Sequence, residues 1–539
     1  MPEPSEQPSP SSNRFPFLRW LPLDPRTAAT DAGMISLAVF AFAWAVARAS
    51  VQAVTGDEGQ SYTLYAGRHF PLQWYPDANN HVLNSLLMRL FASVFGVSSL
   101  SVRAPALIGA AIYIVAAYWI CKLITSKRAV QLPLFVCLVY NPFIFDFFVA
   151  ARGYGMASAF LLSAIMLPVW YWLKPAAANT NRLLWVSALS SLFLALSFTS
   201  SFAFAFVDAL ALVALVVWSF RSAAETGLAS PSIPRARLLS AWLLPGSIII
   251  ILIPSYALLH WPKGQIFDGG TSIRATVSSV IDASLFRLNP QILNPLLYGR
   301  VDAAKGFLVP ALGAIVLLYA LLILFNRRRL LDIRSKRLTA LAAALACIAG
   351  LTLLLHWAAF HAFGLLMPQH RTAIYFVPLC TLVAGILASI SIEARAARAT
   401  RLALVAMLFV MAGYYLMCLR LTYFREWQYQ QDVKRVYDVI AWYNHNRGVR
   451  SAEVNWRYHG ALIFYRDLSG RETLDPISCK TPHPVDKQLY VLDSSSEENF
   501  INLLNLKVVY HGGSTDVVVA VRPEFADPPK PPEYSFPAP

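Results

Sequence analysis

The chain has 539 residues, 57% of them hydrophobic and 14% charged, with a mean hydropathy of +0.50. A water-soluble protein of this length needs far more polar surface, so a soluble globular fold is excluded. The formal net charge of +15 does not point to nucleic acid. Its basic residues lie in short segments between apolar runs, notably NRRRLLDIRSKR at 326–337, the pattern that orients a chain in a bilayer.

Residues 1–26 are rich in Pro and Ser and carry no cleavable signal pattern; they read as part of a disordered cytoplasmic tail covering 1–32. Eleven apolar spans then follow within a membrane domain at 33–420, near 33–54, 103–121, 130–149, 154–173, 183–199, 202–220, 238–259, 306–325, 338–360, 372–392 and 402–419. A bilayer core needs about 20 apolar residues in helical form, and Met34–Val54 alone would rise about 31 Å. The run 183–220 is too long for one helix of usual tilt, so it is divided at SFTSSF (197–202), where small polar residues suit a tight turn. The expected fold is therefore a polytopic α-helical membrane protein.

Alternate loops differ in charge. One set holds Lys122, Lys127, Arg128, Lys174, Arg182, Arg221, Arg235, Arg237, the 326–337 cluster, Arg395, Arg398 and Arg401. The positive-inside tendency places this set in the cytoplasm. It places 55–102, 150–153, 260–305, 361–371 and everything after 420 outside, which in the inner membrane of a bacterium is the periplasm. Within the first external loop, NHVLNSLLMRLFASVF (80–95) has apolar residues at helical spacing but is too short and too polar to span. It reads as a helix lying in the interface plane.

After Leu421 the composition becomes that of a small soluble α/β domain, 421–521. QYQQDVKRVYDVIAWYNHN reads as a helix, and AEVNW, KQLYVLD, LKVVYHG and DVVVAVR read as strands. A Pro-rich tail, 522–539, closes the chain. Walker A, GxGxxG, HExxH and Asp-x-Asp patterns are absent. Five of the six cysteines fall in apolar spans, with neither a disulfide framework nor zinc spacing. No metal or other cofactor is expected.

Twelve of the thirty acids lie between Arg26 and Arg420, which makes the adjacent Asp57 and Glu58 conspicuous. Acids beside lipid are costly. They are either solvated at a helix end, or paired with Arg68, or they supply a general base at the membrane surface. Spacing does not decide which of the two is the base. NPFIFDFFVAARGYG (141–155) adds Asp146, Arg152 and Tyr154; MPQHRTAIYFVP (367–378) adds His370 and Arg371. An always-charged, forked Arg suits a phosphate. The alternatives are a snorkelling anchor and, for Arg152, a salt bridge with Asp146. Asn80 and His81 open the interfacial helix and are candidate substrate contacts. Asp208, inside a span, reads first as a structural hydrogen-bonding group.

These segments resemble the C-type glycosyltransferases that use polyprenyl-phosphate sugars, in the protein-mannosyltransferase and aminoarabinose-transferase group. DEGQSYTLYAGR (57–68) is similar to the family's acidic motif after the first span. NNHVLNSLLMRLFASVFGVSSLSVRAPALIGA (79–110) is similar to its juxtamembrane helix and Arg-x-Pro second-span start, and NPFIFDFFVAARGYG and HRTAIYFVPL (370–379) to its later signatures. The resemblance covers roughly 34–420. It implies Asp57 as catalytic base, Glu58 in support, and Arg152 and Arg371, with His370, on the donor phosphate. It also implies transfer of the sugar with inversion to a lipid, glycan or protein acceptor. Many relatives read His-Pro-Pro where this chain has His81-Val82-Leu83. The rival readings are a transporter or lipid flippase, and a non-catalytic assembly subunit presenting the 421–521 domain.

Overall fold

The structure is a computed structural model that describes residues 28–67, 70–173, 180–225, 235–262, 269–289, 292, 294–326, 332–470 and 473–526. Tail residues 1–27, Arg68, Lys174, residues 327–331 of the 326–337 cluster and the chain beyond 526 lie outside the described residues.

The membrane part runs α1 (Ala28–Val51), α2 (Gly56–Gln60), α3 (Val82–Phe95), α4 (Ser99–Ile124), α5 (Arg128–Val139), α6 (Pro142–Phe147), α7 (Tyr154–Leu173), α8 (Thr180–Ser200), α9 (Ala205–Glu225), α10 (Arg235–Leu252), α11 (Ser255–Leu259), α12 (Ile273–Ser284), α13 (Pro295–Phe325), α14 (Ile333–Phe363), α15 (Phe376–Ser389) and α16 (Arg395–Met417). Among the described residues ten helices are long and apolar enough to cross a membrane; where the eleventh span was expected, at 130–149, lies the shorter apolar helix α5. The protein is a polytopic α-helical membrane protein. Large apolar side chains such as Leu252, Phe307, Phe325 and Leu354 stay exposed on the bundle's outer surface, as lipid contact requires.

Boundaries differ from the sequence reading where a side chain caps or breaks a helix. Residues 28–32, assigned to the tail, belong to α1, whose first turn carries Asp31 bonded to Lys122 at 2.7 Å. The expected span 130–149 is broken in two. Tyr140 ends α5, and Asn141 caps α6 by accepting from Phe143 and Ile144 N–H at 3.0 and 3.3 Å, with Pro142 in the first helical turn. The division at 197–202 is present, with α8 ending at Ser200 and a 3₁₀ turn at Phe202–Phe204.

The C-terminal part comprises α17 (Val433–Arg447), β1 (Ala452–Val454), α18 (Trp456–Ser469), β2 (Leu489–Asp493), α19 (Glu498–Leu503), β3 (Lys507–His511) and β4 (Val517–Val521). The sheet order is β1-β2-β4-β3, with β1 parallel to β2 and the other pairs antiparallel. The unbroken apolar run of β4 is explained by cover on both faces. Val517, Val519 and Val521 join the core with α17 and α18, while Val518 and Ala520 face α19. The former core also contains Val54, Ala66, Met88, Val102 and Ala151. The segment between α1 and α4, the 150–153 turn and the C-terminal part therefore share one core at one end of the bundle.

Candidate active site

The acid pair is split by a helix cap. Thr55 precedes α2; its hydroxyl accepts from Glu58 N–H at 3.2 Å, and Glu58 Oε2 accepts from Thr55 N–H at 2.8 Å. This reciprocal capping box turns Glu58 inward. Neighbouring residues diverge by about 100° around a helix, so Asp57 is turned away from it and keeps a side chain 23% exposed.

Glu58 is fully buried and saturated. Arg103 Nε donates to Oε1 at 2.9 Å and Nη2 to Oε2 at 2.7 Å, and Ala151 N–H reaches Oε1 at 2.7 Å. Arg103 also donates to the carbonyls of Ala49, Gln52 and Ala53 at 2.8–2.9 Å. It satisfies the free carbonyl end of α1 with a positive charge. Both its oxygens accept charge-assisted or buried backbone hydrogen bonds, and it fixes the geometry of α2.

Two guanidinium groups converge on residue 57. Arg152 lies in the turn between α6 and α7 and is fully buried. Its Nη1 donates to Ser61 Oγ at 2.8 Å and to the Asp57 carbonyl at 3.4 Å, its Nη2 to Asn79 Oδ1, and its Nε has no partner. All these partners are neutral, and no described residue forms an ion pair with Arg152. A buried cation without a counter-ion is costly and suits an incoming anion. The turn that carries it is stapled at Ala151, by Glu58 on one side and by Asn84 Nδ2 at 3.2 Å on the other. At Gly153 a Cβ would collide with the Ser200 carbonyl and press on His81 Nδ1, so glycine is needed for this close approach.

Arg371 arrives from the 3₁₀ turn His370–Ala373 ahead of α15. Its Nη2 lies 3.2 Å from Asp57 Oδ2, its Nη1 bonds Glu426 Oε2 at 3.2 Å, and its guanidinium stands 5.7 Å over the Trp427 ring. His370 has φ +47°, and its N–H is held by Ser279 Oγ of α12 at 3.0 Å. Its ring Nδ1 is buried without a partner.

His81 precedes α3 with its ring edge-on to Tyr154 at 4.7 Å. The Ser200 carbonyl, 3.0 Å from Nδ1, can only accept, so Nδ1 carries the proton and the buried Nε2 is a bare acceptor. Burial, with Arg152 nearby, pushes the imidazole well below the usual histidine range, so the ring stays neutral.

Three other candidates have structural partners. Asn80 donates to the Gln73 and Tyr75 carbonyls, both at 2.9 Å, and accepts from Ser85 at 2.8 Å, so its amide is committed to holding the loop. Asp146 does not pair with Arg152. It is buried between Arg48 Nη2 at 2.7 Å and Arg420 Nη2, and also accepts from Arg425 N–H at 2.9 Å, which ties α6 to α1 and to the segment after α16. Asp208 accepts from Ser197 of α8 at 3.0 Å, the interhelix bond expected of it, although its second oxygen is unpartnered.

Glu426 and Gln430 were not anticipated. Gln430 Oε1 accepts from Gly56 N–H at 2.8 Å, while its amide bonds the Arg457 carbonyl. There α2 crosses α18 so closely that a Cβ on Gly59 or Gly460 would strike the opposing backbone carbonyl. An apolar cavity of about 510 Å³ lies between α12, α13, α14, α15 and α16. Its lining includes Thr276 and Val280, which flank Ser279 on α12, and Phe376 and Val377, at the start of α15 just after Arg371.

No protein-family model and no curated protein matches the chain in sequence. Among solved structures it is similar to ArnT from Cupriavidus metallidurans bound to undecaprenyl phosphate. That match has 10% identity and a TM-score of 0.51, over 92% of this chain and 99% of that one. The apo form of ArnT aligns at 12% identity and TM-score 0.48, over 94% and 100% of the two chains. The arabinosyltransferase EmbB from Mycobacterium smegmatis aligns at 12% and 0.42, over 85% and 44%. From the first of these, the chain shares the fold of ArnT over nearly its whole length.

Proposed function

We propose that the protein is a glycosyltransferase that moves a sugar from a polyprenyl-phosphate donor to an acceptor hydroxyl or amine at the periplasmic face of a bacterial inner membrane. The reading rests chiefly on one observation: two guanidinium groups converge on the partly exposed Asp57, Arg152 on its backbone carbonyl and Arg371 on its carboxylate. Three further features support it. An apolar cavity lined in part by α12 and α15, the two helices that hold the Arg371 turn, has room for hydrocarbon. Helix α3 leaves Leu90, Val94 and Phe95 exposed to enter an interface. ArnT, whose fold the chain shares, binds undecaprenyl phosphate.

In the proposed step the acceptor oxygen or nitrogen attacks the anomeric carbon as its proton passes to Asp57. The bond from that carbon to the phosphate oxygen breaks, its electron pair stays on the phosphate, and configuration inverts. The leaving group is a monophosphate whose growing charge meets Arg152 and Arg371. Preorganised donors of this kind contribute about 100- to 1,000-fold each. His81, neutral and with Nε2 bare, can accept a hydrogen bond from a sugar hydroxyl.

The test uses purified protein in nanodiscs with a panel of labelled undecaprenyl-phosphate sugars and a cell-envelope extract as acceptor. Release of undecaprenyl phosphate together with label in the acceptor is expected for one sugar. Movement of the intact lipid between the leaflets of sealed proteoliposomes, without bond cleavage, would instead establish a flippase.

A further inference from the structure

The two carboxylates on Arg371 hold it unequally. Glu426 makes two hydrogen bonds to this one residue: Oε1 accepts from the Arg371 backbone N–H and Oε2 from Nη1, both at 3.2 Å. Asp57 Oδ2 lies at the same distance from Nη2, but that oxygen accepts no hydrogen bond, so the contact is an ion pair without alignment. The backbone cannot swing away, because Ser279 anchors the preceding N–H and Glu426 the residue's own. The Trp427 ring backs the guanidinium. What remains free to change is the partner of Nη2.

We infer that Glu426 is a positioning residue that makes Arg371 an exchange switch between Asp57 and the donor phosphate. This rests on the function proposed above. With the site empty, Nη2 is occupied by the carboxylate that has to act as base. A phosphate oxygen offers Nη2 an aligned, charge-assisted bond and displaces the poorly aligned Asp57, while Glu426 retains Nη1 and the backbone. Asp57 is then released to face the acceptor. After transfer the departing polyprenyl phosphate carries up to two negative charges instead of one and holds Arg371 more strongly. When it leaves, Asp57 gives up its proton to solvent and recovers Nη2. The switch imposes an order, donor before acceptor, and keeps the base occupied while no donor is present.

The test measures undecaprenyl phosphate binding to purified protein in nanodiscs. Asp57→Asn removes the competing charge and should bind about two- to fivefold tighter than wild type, the scale of a partly exposed ion pair. Glu426→Gln cannot accept from both N–H groups and should bind more weakly. The gain from Asp57→Asn should vanish in a Glu426→Gln background and also in an Arg371→Gln background, which a purely structural role for Glu426 would not cause. Unchanged or weaker binding by Asp57→Asn would overturn the switch, as would a gain that persists in either background. These outcomes leave the proposed function intact, because that reading is judged by sugar transfer; failure of the wild type to bind undecaprenyl phosphate would overturn both.

Discussion

Replacing Glu58 by Gln tests whether the acid pair divides into a base and a structural clamp. Glu58 accepts from Thr55 N–H, Ala151 N–H, and Arg103 Nε and Nη2. Whichever oxygen becomes an amide nitrogen then faces one backbone donor and one guanidinium donor. Two hydrogen bonds become donor–donor contacts, and Arg103, itself fully buried, loses its only carboxylate partner among the described residues. Breaking one side of a buried ion pair costs about 3–5 kcal/mol, a large part of a typical net stability of about 5–15 kcal/mol. The expected result is a clear fall in unfolding temperature in nanodiscs, with transfer per folded molecule reduced less than tenfold. A variant that unfolds with the wild type but transfers about 100-fold more slowly would show that Glu58 does chemistry and that the clamp is misread.

Arg152→Lys keeps the charge but loses the planar fork, so undecaprenyl phosphate affinity should fall at unchanged protein abundance; full affinity would make Arg152 a structural residue. The folded state keeps His81 neutral while the unfolded chain protonates near pH 6.5. Stability should therefore drop as pH falls below that value, by up to about 2 kcal/mol between pH 7.5 and 5, and His81→Gln should flatten this share of the unfolding profile. Gly460→Ala would place a Cβ against the Gly56 carbonyl, and should lower both transfer activity and resistance of the C-terminal part to proteolysis; wild-type values for both would mean that the α2–α18 crossing does not position Asp57.

Lipid made most of the fold legible. A span must be helical and apolar throughout, so Tyr154–Leu173 is where the composition places it, and small polar residues around Ser200 divide α8 from α9. Short helices escaped detection for the opposite reason. Helix α12 is amphipathic and sits in what reads as an external loop. Helix α18 follows β1 so directly that AEVNW reads as one strand, although Asn455 caps the helix by accepting from Arg457 N–H at 3.0 Å; an Asn immediately before WRYHGALIF was the available signal. Asp57 stood out because acids are scarce beside lipid. The roles of its neighbours depend on partners far along the chain. Arg103 lies 45 residues from Glu58 and Glu426 lies 55 residues from Arg371, and no local pattern joins either pair. Arg103 could have been suspected as a charge set at the head of an apolar span, and Glu426 as an acid amid aromatics in FREWQYQ. The wrong partner for Asp146 has the same origin: Arg152 is near in sequence, while Arg48 and Arg420 are near in space.

The central claim is that Asp57 takes the acceptor's proton as the sugar is transferred. Asn fills nearly the same volume and keeps a hydrogen-bonding oxygen, but it cannot take up that proton. The direct measurement is single-turnover transfer by purified Asp57→Asn protein in lipid, with undecaprenyl phosphate binding determined on the same preparation. Turnover should fall by about 100-fold or more, the usual scale for a lost general base, with lipid affinity above the wild-type value. Transfer at the wild-type rate would contradict the account.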